Sequence, residues 1–167
     1  MSDNDLRAEV IGTARLELLP LRVEHAEEMA VVLADPALHA FTGGSPDGPE
    51  ALRSRYERMV AGSPDPAVSW LNWVIQLREG CLVGTVQATV GPAVAEIAWV
   101  VGTPWQGRGM ATEAARALVG WLGRQGVRAV VAHVHPEHRA SAAVAAAAGL
   151  APTGEVHDGE IRWRRTL

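Results

Sequence analysis

The run Gln106-Gly107-Arg108-Gly109-Met110-Ala111 follows an apolar, β-prone stretch from Ala95 to Val101 and opens a segment, through Leu122, whose apolar residues recur at helical spacing. The order reads strand, glycine-rich turn, helix. A helix N-terminus carries unpaired N–H groups and the positive end of the helix dipole, so small residues there let a phosphate approach the main chain. Gly109 and Ala111 fall on the first helical turn, with Arg108 beside them as a counter-charge. The spacing predicts a phosphate-bearing ligand. Gly-x-x-x-x-Gly-Lys-Ser/Thr is absent, as is Gly-x-Gly-x-x-Gly with an acidic residue about twenty positions on, so a P-loop nucleotide or NAD is not expected.

Glu96 is an acid inside the otherwise apolar strand before that turn. If buried, it would have a raised proton affinity and suit a general base; if solvent-facing, it would pair with a cation. His133 and His135 share strand parity, and His135, at the end of its strand, is a second candidate base. Two histidines at i and i+2 need a further ligand to hold a metal. None lies at a plausible spacing, so no metal is expected.

These residues need a frame to position them. Ala14 to Leu19 alternates as a strand stopped by Pro20, and Glu24 to Ala34 reads as an amphipathic helix. Phe41 to Pro49 is a loop, and Glu50 to Val60 a second helix with Leu52, Tyr56, Met59 and Val60 inward. Ser69–Leu77 and Cys81–Val90 form a hairpin that turns at Gly91-Pro92 into the strand carrying Glu96. Trp70 and Trp73 fall on opposite strand faces, one for the core and one for a cleft. Gly84 within its strand implies a bulge or a close main-chain contact. After the helix, Val127 to Val134 reads as a buried parallel neighbour of the strand carrying Glu96. A short helix from Glu137 to Ala148, closed by Gly149, and a hairpin of Ala151–His157 and Glu160–Thr166 end the chain.

The 167 residues suit one domain spanning 1–167, with 1–12 as a flexible tail. A 48% apolar share fits a folded chain, and no apolar run reaches the length of about eighteen residues that spans a membrane. The polar N-terminus is unlike a signal peptide, which favours a cytoplasmic enzyme, and the lone Cys81 excludes an internal disulfide framework. The net charge is −4 and every basic residue is arginine, with no basic stripe, so nucleic acid is not an expected partner.

At Gln106-Gly107-Arg108-Gly109-Met110-Ala111 the chain resembles the acyl-CoA pyrophosphate loop, Gln-x-x-Gly-x-Gly/Ala, of the GNAT superfamily of N-acetyltransferases. From Arg15-Leu-Glu-Leu-Leu-Pro-Leu-Arg to the final strand it is similar to the branch containing the ribosomal-protein N-terminal acetyltransferases. The resemblance implies an α+β domain with one mixed, mostly antiparallel sheet of six to seven strands, a splayed parallel central pair and helices on both faces. It implies acetyl-CoA as cosubstrate and a primary amine of a peptide or small molecule as acceptor, with direct attack in a ternary complex. The backbone of Val100 and Val101 would bind the thioester and pantetheine, and Phe41, Thr42 and Tyr56 would line the acceptor side. Glu96 resembles the catalytic glutamate of the histone-acetylating branch, although the loop to the glycines is one residue shorter here. The pattern Asn-x-x-Ser is matched at its serine in His138-Arg-Ala-Ser141, so Ser141 would donate to or position the departing sulfur, and His138 would keep the pantetheine contact or itself serve as the acid. The family's tyrosine proton donor falls on Ala145, and dimerisation is common among its members.

Two function classes therefore stand before the fold is known. One is the acetyltransferase. The other is a non-catalytic acyl-CoA sensor or interaction module that keeps the loop without the chemistry, for which the missing tyrosine and His138 speak.

Overall fold

The computed structural model describes residues 6–167. One eight-stranded sheet runs in the order β1-β2-β3-β4-β5-β6-β8-β7. Its left half is an antiparallel succession of β1 (Ile11–Gly12), β2 (Leu16–Pro20), β3 (Ser69–Leu77), β4 (Leu82–Val90) and β5 (Ala95–Val101). Between β2 and β3 the chain forms α1 (Ala26–Val32) and α2 (Pro49–Ala61). Between β5 and β6 (Ala129–Val134) it forms α3 (Met110–Arg124), and α4 (Arg139–Ala147) precedes the hairpin β7 (Ala151–His157) and β8 (Glu160–Thr166).

The strand alternation assigns two cores to the two sheet faces. Ala95, Ile97, Val130 and Ala132 pack with Ala114, Leu118 and Leu122 of α3. Val74 and Leu82, of opposite parity, pack with Met29 of α1 and Leu52 of α2. No β5 or β6 residue belongs to that second core, so α1 and α2 leave the same face open over the right half of the sheet.

The expected α+β class, the antiparallel preponderance and the parallel central pair are all present. The eighth strand is β1, inside the stretch expected as a tail. Of that stretch, residues 1–5 lie outside the described residues, while Ile11 is buried and pairs with Leu18. Trp73 explains why the segment docks: its buried indole donates from Nε1 to the Glu9 carbonyl at 2.8 Å. Its ring meets Trp121 edge-to-face at 5.3 Å, a contact worth about 0.5–1.5 kcal/mol beyond area burial. Trp70, on the other strand face, is partly exposed as its parity requires. Val60 is the exception in α2: expected inward, it is exposed, whereas Leu52 and Tyr56, at i and i+4, are buried and Met59 packs partly buried against the same core.

Gly84 serves both purposes its position implied. Ile75 pairs with Gly84 and Gln76 with Leu82, leaving Val83 as the extra residue of a bulge. A β-carbon on Gly84 would lie 2.2 Å from the Val100 carbonyl oxygen.

Candidate active site

β5 and β6 pair in parallel only at Ala95 with Val130 and at Glu96 with Val131. Beyond these residues the strands splay, and a cavity of about 530 Å³ opens in the gap. It runs from Gln106, Gly107 and Gly109 at the start of α3 to His133 on β6 and His135 just beyond the strand's end.

The main chain of β5 presents alternate residues to its two neighbours. The Gly102 N–H donates to the Val83 carbonyl at 2.8 Å, which directs the even-numbered residues of β5 toward β4. The backbone groups of Ile97, Trp99 and Val101 therefore face the gap. This corrects the expectation for Val100: its carbonyl points to β4 against Gly84, although the residue borders the cavity. The Val101 main chain, by contrast, faces the gap. Gln106 Nε2 donates to the Val101 carbonyl at 3.0 Å and ties the glycine turn to the strand end.

Gly107 and Gly109 adopt φ of 76° and 79°, a left-handed conformation that costs other residues roughly 1–2 kcal/mol. These two turns aim the first turn of α3 at the cavity, where Met110, Ala111 and Thr112 carry N–H groups without intrahelical partners. Arg108 adds no atom to the lining. Its carbonyl instead accepts from Arg15 Nη1 at 2.9 Å, while Arg15 Nε pairs with Glu113 at 2.7 Å. Burial by itself would raise the Glu113 carboxyl. Hydrogen bonds from Thr13 and from the Arg15 main chain and guanidinium, with the guanidinium charge, hold it below the usual carboxylate range.

Phe41 and Thr42 border the cavity. The Phe41 ring stacks on His138 at 4.5 Å and tilts against His135 at 5.0 Å. Its loop is fastened to the glycine turn through Asp35, which caps Ala37 N–H and accepts from Thr103 Oγ1 at 2.7 Å. Tyr56 is not at the site. It is 3% exposed within the core beneath α1 and α2, its hydroxyl has no hydrogen-bond partner among the described residues, and burial pushes its pKa up to about 12. The residues of α2 that point inward fill that core and do not reach the cavity.

Glu96 departs from the buried-base expectation. Its side chain is 54% exposed, because its parity puts it on the sheet face that no helix covers here, and it borders no part of the cavity. Its Oε1 accepts from His133 Nδ1 at 2.8 Å, so the solvent-facing, paired alternative is the one observed.

His135 and His138 differ from His133 in their partners. His135 Nδ1 accepts from the Glu137 N–H at 3.1 Å. His138 Nδ1 accepts from the Ser141 N–H at 3.3 Å, and its Nε2 lies 3.2 Å from Ser141 Oγ. A neutral His138 with Nδ1 as acceptor carries its proton on Nε2 and donates it to Ser141 Oγ, which frees the hydroxyl proton for another acceptor. Burial, then the charge of nearby His135, lowers the His138 pKa below its ordinary value and favours this neutral form.

Glu160, at the start of β8, also borders the cavity, and sequence reasoning passed over it. The hairpin at Asp158-Gly159 was legible, but only the pairing of β8 with β6, His133 opposite Arg162, brings this acid to the site. Among the described residues, no group of three or more His, Cys, Asp or Glu side chains converges as metal ligands would. Nor, among them, is any helix long and apolar enough to cross a membrane.

A family model described as an acetyltransferase (GNAT) domain matches residues 15–151. The chain belongs to the GNAT acetyltransferase family. Solved structures share the fold across nearly the whole chain. An acetyltransferase from Agrobacterium tumefaciens str. C58 is 28% identical, with 95% of this chain and 94% of that one covered and a TM-score of 0.73. RimJ of Mycobacterium smegmatis, in complex with a CoA-disulfide, is 23% identical over 95% and 87% at a TM-score of 0.78. RimL, a ribosomal L7/L12 α-N-protein acetyltransferase in complex with coenzyme A, is 19% identical over 95% and 98% at a TM-score of 0.80. Among curated proteins, none matches the chain by sequence. Membership makes this an acetyltransferase domain.

Proposed function

We propose that the protein transfers the acetyl group of acetyl-CoA to a primary amine, of a peptide N-terminus or a small molecule, by direct attack in a ternary complex. The observation that carries this reading is the continuity of one cavity from the first turn of α3, through the β5–β6 gap, to His133 of β6 and His135 just beyond it. The CoA bound to RimL and RimJ supports it. The unpaired N–H groups of Met110, Ala111 and Thr112, with Gly107 and Gly109 clearing their approach, receive the diphosphate of the cosubstrate. The inward amides of β5 then hold the pantetheine and the thioester carbonyl in the gap, where donors fixed before reaction stabilise an oxyanion without reorganising.

Phe41 and Thr42 wall the acceptor side, and Glu160 supplies a negative charge there for an incoming ammonium. On collapse of the tetrahedral adduct the sulfur leaves as thiolate. The freed Ser141 hydroxyl donates a hydrogen bond to it, with His138 Nε2–H holding Oγ from behind. His138 is thus a positioning residue, and Ser141 takes the place of the tyrosine that Ala145 lacks.

The experiment is thiol release from acetyl-CoA with Ser-, Ala- and Met-initiated peptide amides, spermidine and an aminoglycoside. Turnover on one of them, with the acetylated amine found by mass, is the expected result. CoA binding without turnover on any would favour the non-catalytic sensor.

A further inference from the structure

Three histidines border the cavity, and their hydrogen-bond partners sort them into two kinds. His135 and His138 each use Nδ1 to accept a main-chain N–H, from Glu137 and Ser141. In the neutral ring the proton is then on Nε2, and neither ring has a lone pair left to take another. His133 is the reverse. A carboxylate can only accept, so the 2.8 Å contact with Glu96 puts the proton on Nδ1 and leaves the Nε2 lone pair open. No described residue donates to that Nε2.

The placement matches the electronics. Glu96 is the last β5 residue paired to β6, and His133 lies two residues beyond its register partner Val131, inside the gap. The carboxylate stays outside the cavity while the imidazole borders it, 17% exposed. Other charged or titratable groups near the ring are His157 of β7, at a centroid distance of 5.8 Å, and the register partner Arg162 of β8, whose guanidinium pairs with Glu155 at 3.6 Å.

We infer that His133 is the proton acceptor of the transfer reaction and that Glu96 is its positioning residue, holding the ring in the Nδ1–H tautomer. The inference rests on the acetyltransferase reading above. As the neutral amine attacks the thioester carbon, the new C–N bond forms and the carbonyl π pair moves to oxygen. The N–H proton passes to His133 Nε2. The C=O bond then re-forms, C–S breaks with its electron pair on sulfur, and the imidazolium returns its proton to solvent. The positive charge on the ring is balanced by Glu96 while it lasts. The base role first assigned to Glu96 moves one hydrogen bond inward, and the reserve role of His135 falls away because its Nε2 carries a proton.

The test combines a structural and a kinetic readout. In ¹⁵N-labelled, CoA-saturated protein, His133 shows the Nδ1–H tautomer, and Glu96→Ala shifts it toward Nε2–H. With whichever primary amine of the panel turns over, His133→Ala lowers kcat by about 10²–10⁴-fold while CoA affinity is unchanged, and added imidazole restores part of the rate. His133→Gln, closer in size, gives the same loss and guards against a packing artefact, and the CoA titration verifies folding of each variant. Glu96→Ala lowers kcat by about tenfold or more without changing KM for acetyl-CoA. An Nε2–H tautomer in the wild type, or a His133→Ala kcat within about threefold of wild type, overturns the pair. So does a loss confined to Glu160→Gln. A wild type that binds CoA and acetylates no probe overturns the transfer reading itself, and the acceptor role with it.

Discussion

Gly84 of β4 lies against Val100 of β5 so closely that a β-carbon would sit 2.2 Å from the Val100 carbonyl oxygen and 3.0 Å from the Val101 α-carbon. The contact closes β4 onto the strand whose opposite edge faces the gap. Gly84→Ala forces the two strands apart and costs about 1–3 kcal/mol, as overpacking does. For a chain of this size that is a fall in Tm of roughly 2–4 °C per kcal/mol. CoA affinity falls with it, because Val101 shifts. Thermal unfolding and a CoA titration of the variant measure both; an unchanged Tm would show that β4 and β5 can separate freely.

The cluster of Thr13, Arg15 and Glu113 braces the glycine turn from behind, through Arg15 to the Arg108 carbonyl. The folded-state pKa of Glu113 is depressed, so its stabilisation is fully present above the ordinary value of 4.5 and is lost as pH falls through the folded value. Glu113→Gln therefore lowers Tm at pH 7. The gap between the two proteins narrows as pH is taken below 4.5. Unfolding curves from pH 7 to pH 3 check the sign; a gap that widens on acidification would contradict it.

Tyr56 carries a buried hydroxyl with no partner among the described residues. Removing an unsatisfied polar group recovers its desolvation penalty, about 1–3 kcal/mol. Tyr56→Phe raises Tm and leaves acetyl transfer unchanged, since the residue does not border the cavity. Lost activity at unchanged stability would return Tyr56 to the acceptor site.

Local periodicity and turn chemistry carried most of the fold. The hairpin at Asp158-Gly159, the helix opened by Gly109 and the bulge at Gly84 follow from backbone preferences that act over a few residues. Burial of a polar residue depends on what covers it, and that is set elsewhere in the chain. Glu96 looked buried because its neighbours are apolar, yet α1 and α2 stop short of its face. Tyr56 looked available because it lies in the helical pair that lines clefts in such folds, yet i to i+4 spacing from Leu52 turns it into the core. Glu160 and the pairing of Glu96 with His133 are products of register between strands far apart in sequence.

The most direct test is calorimetric titration of CoA and of pantetheine, which lacks the nucleotide and diphosphate, into the wild type and Gln106→Ala. If main-chain amides at the start of α3 hold the diphosphate, CoA binds with one-to-one stoichiometry and pantetheine binds at least about 100-fold more weakly, a loss of about 2.7 kcal/mol. Gln106→Ala, which unties the turn from Val101, weakens CoA by about tenfold. No heat with CoA, or equal affinity for CoA and pantetheine, would contradict the account.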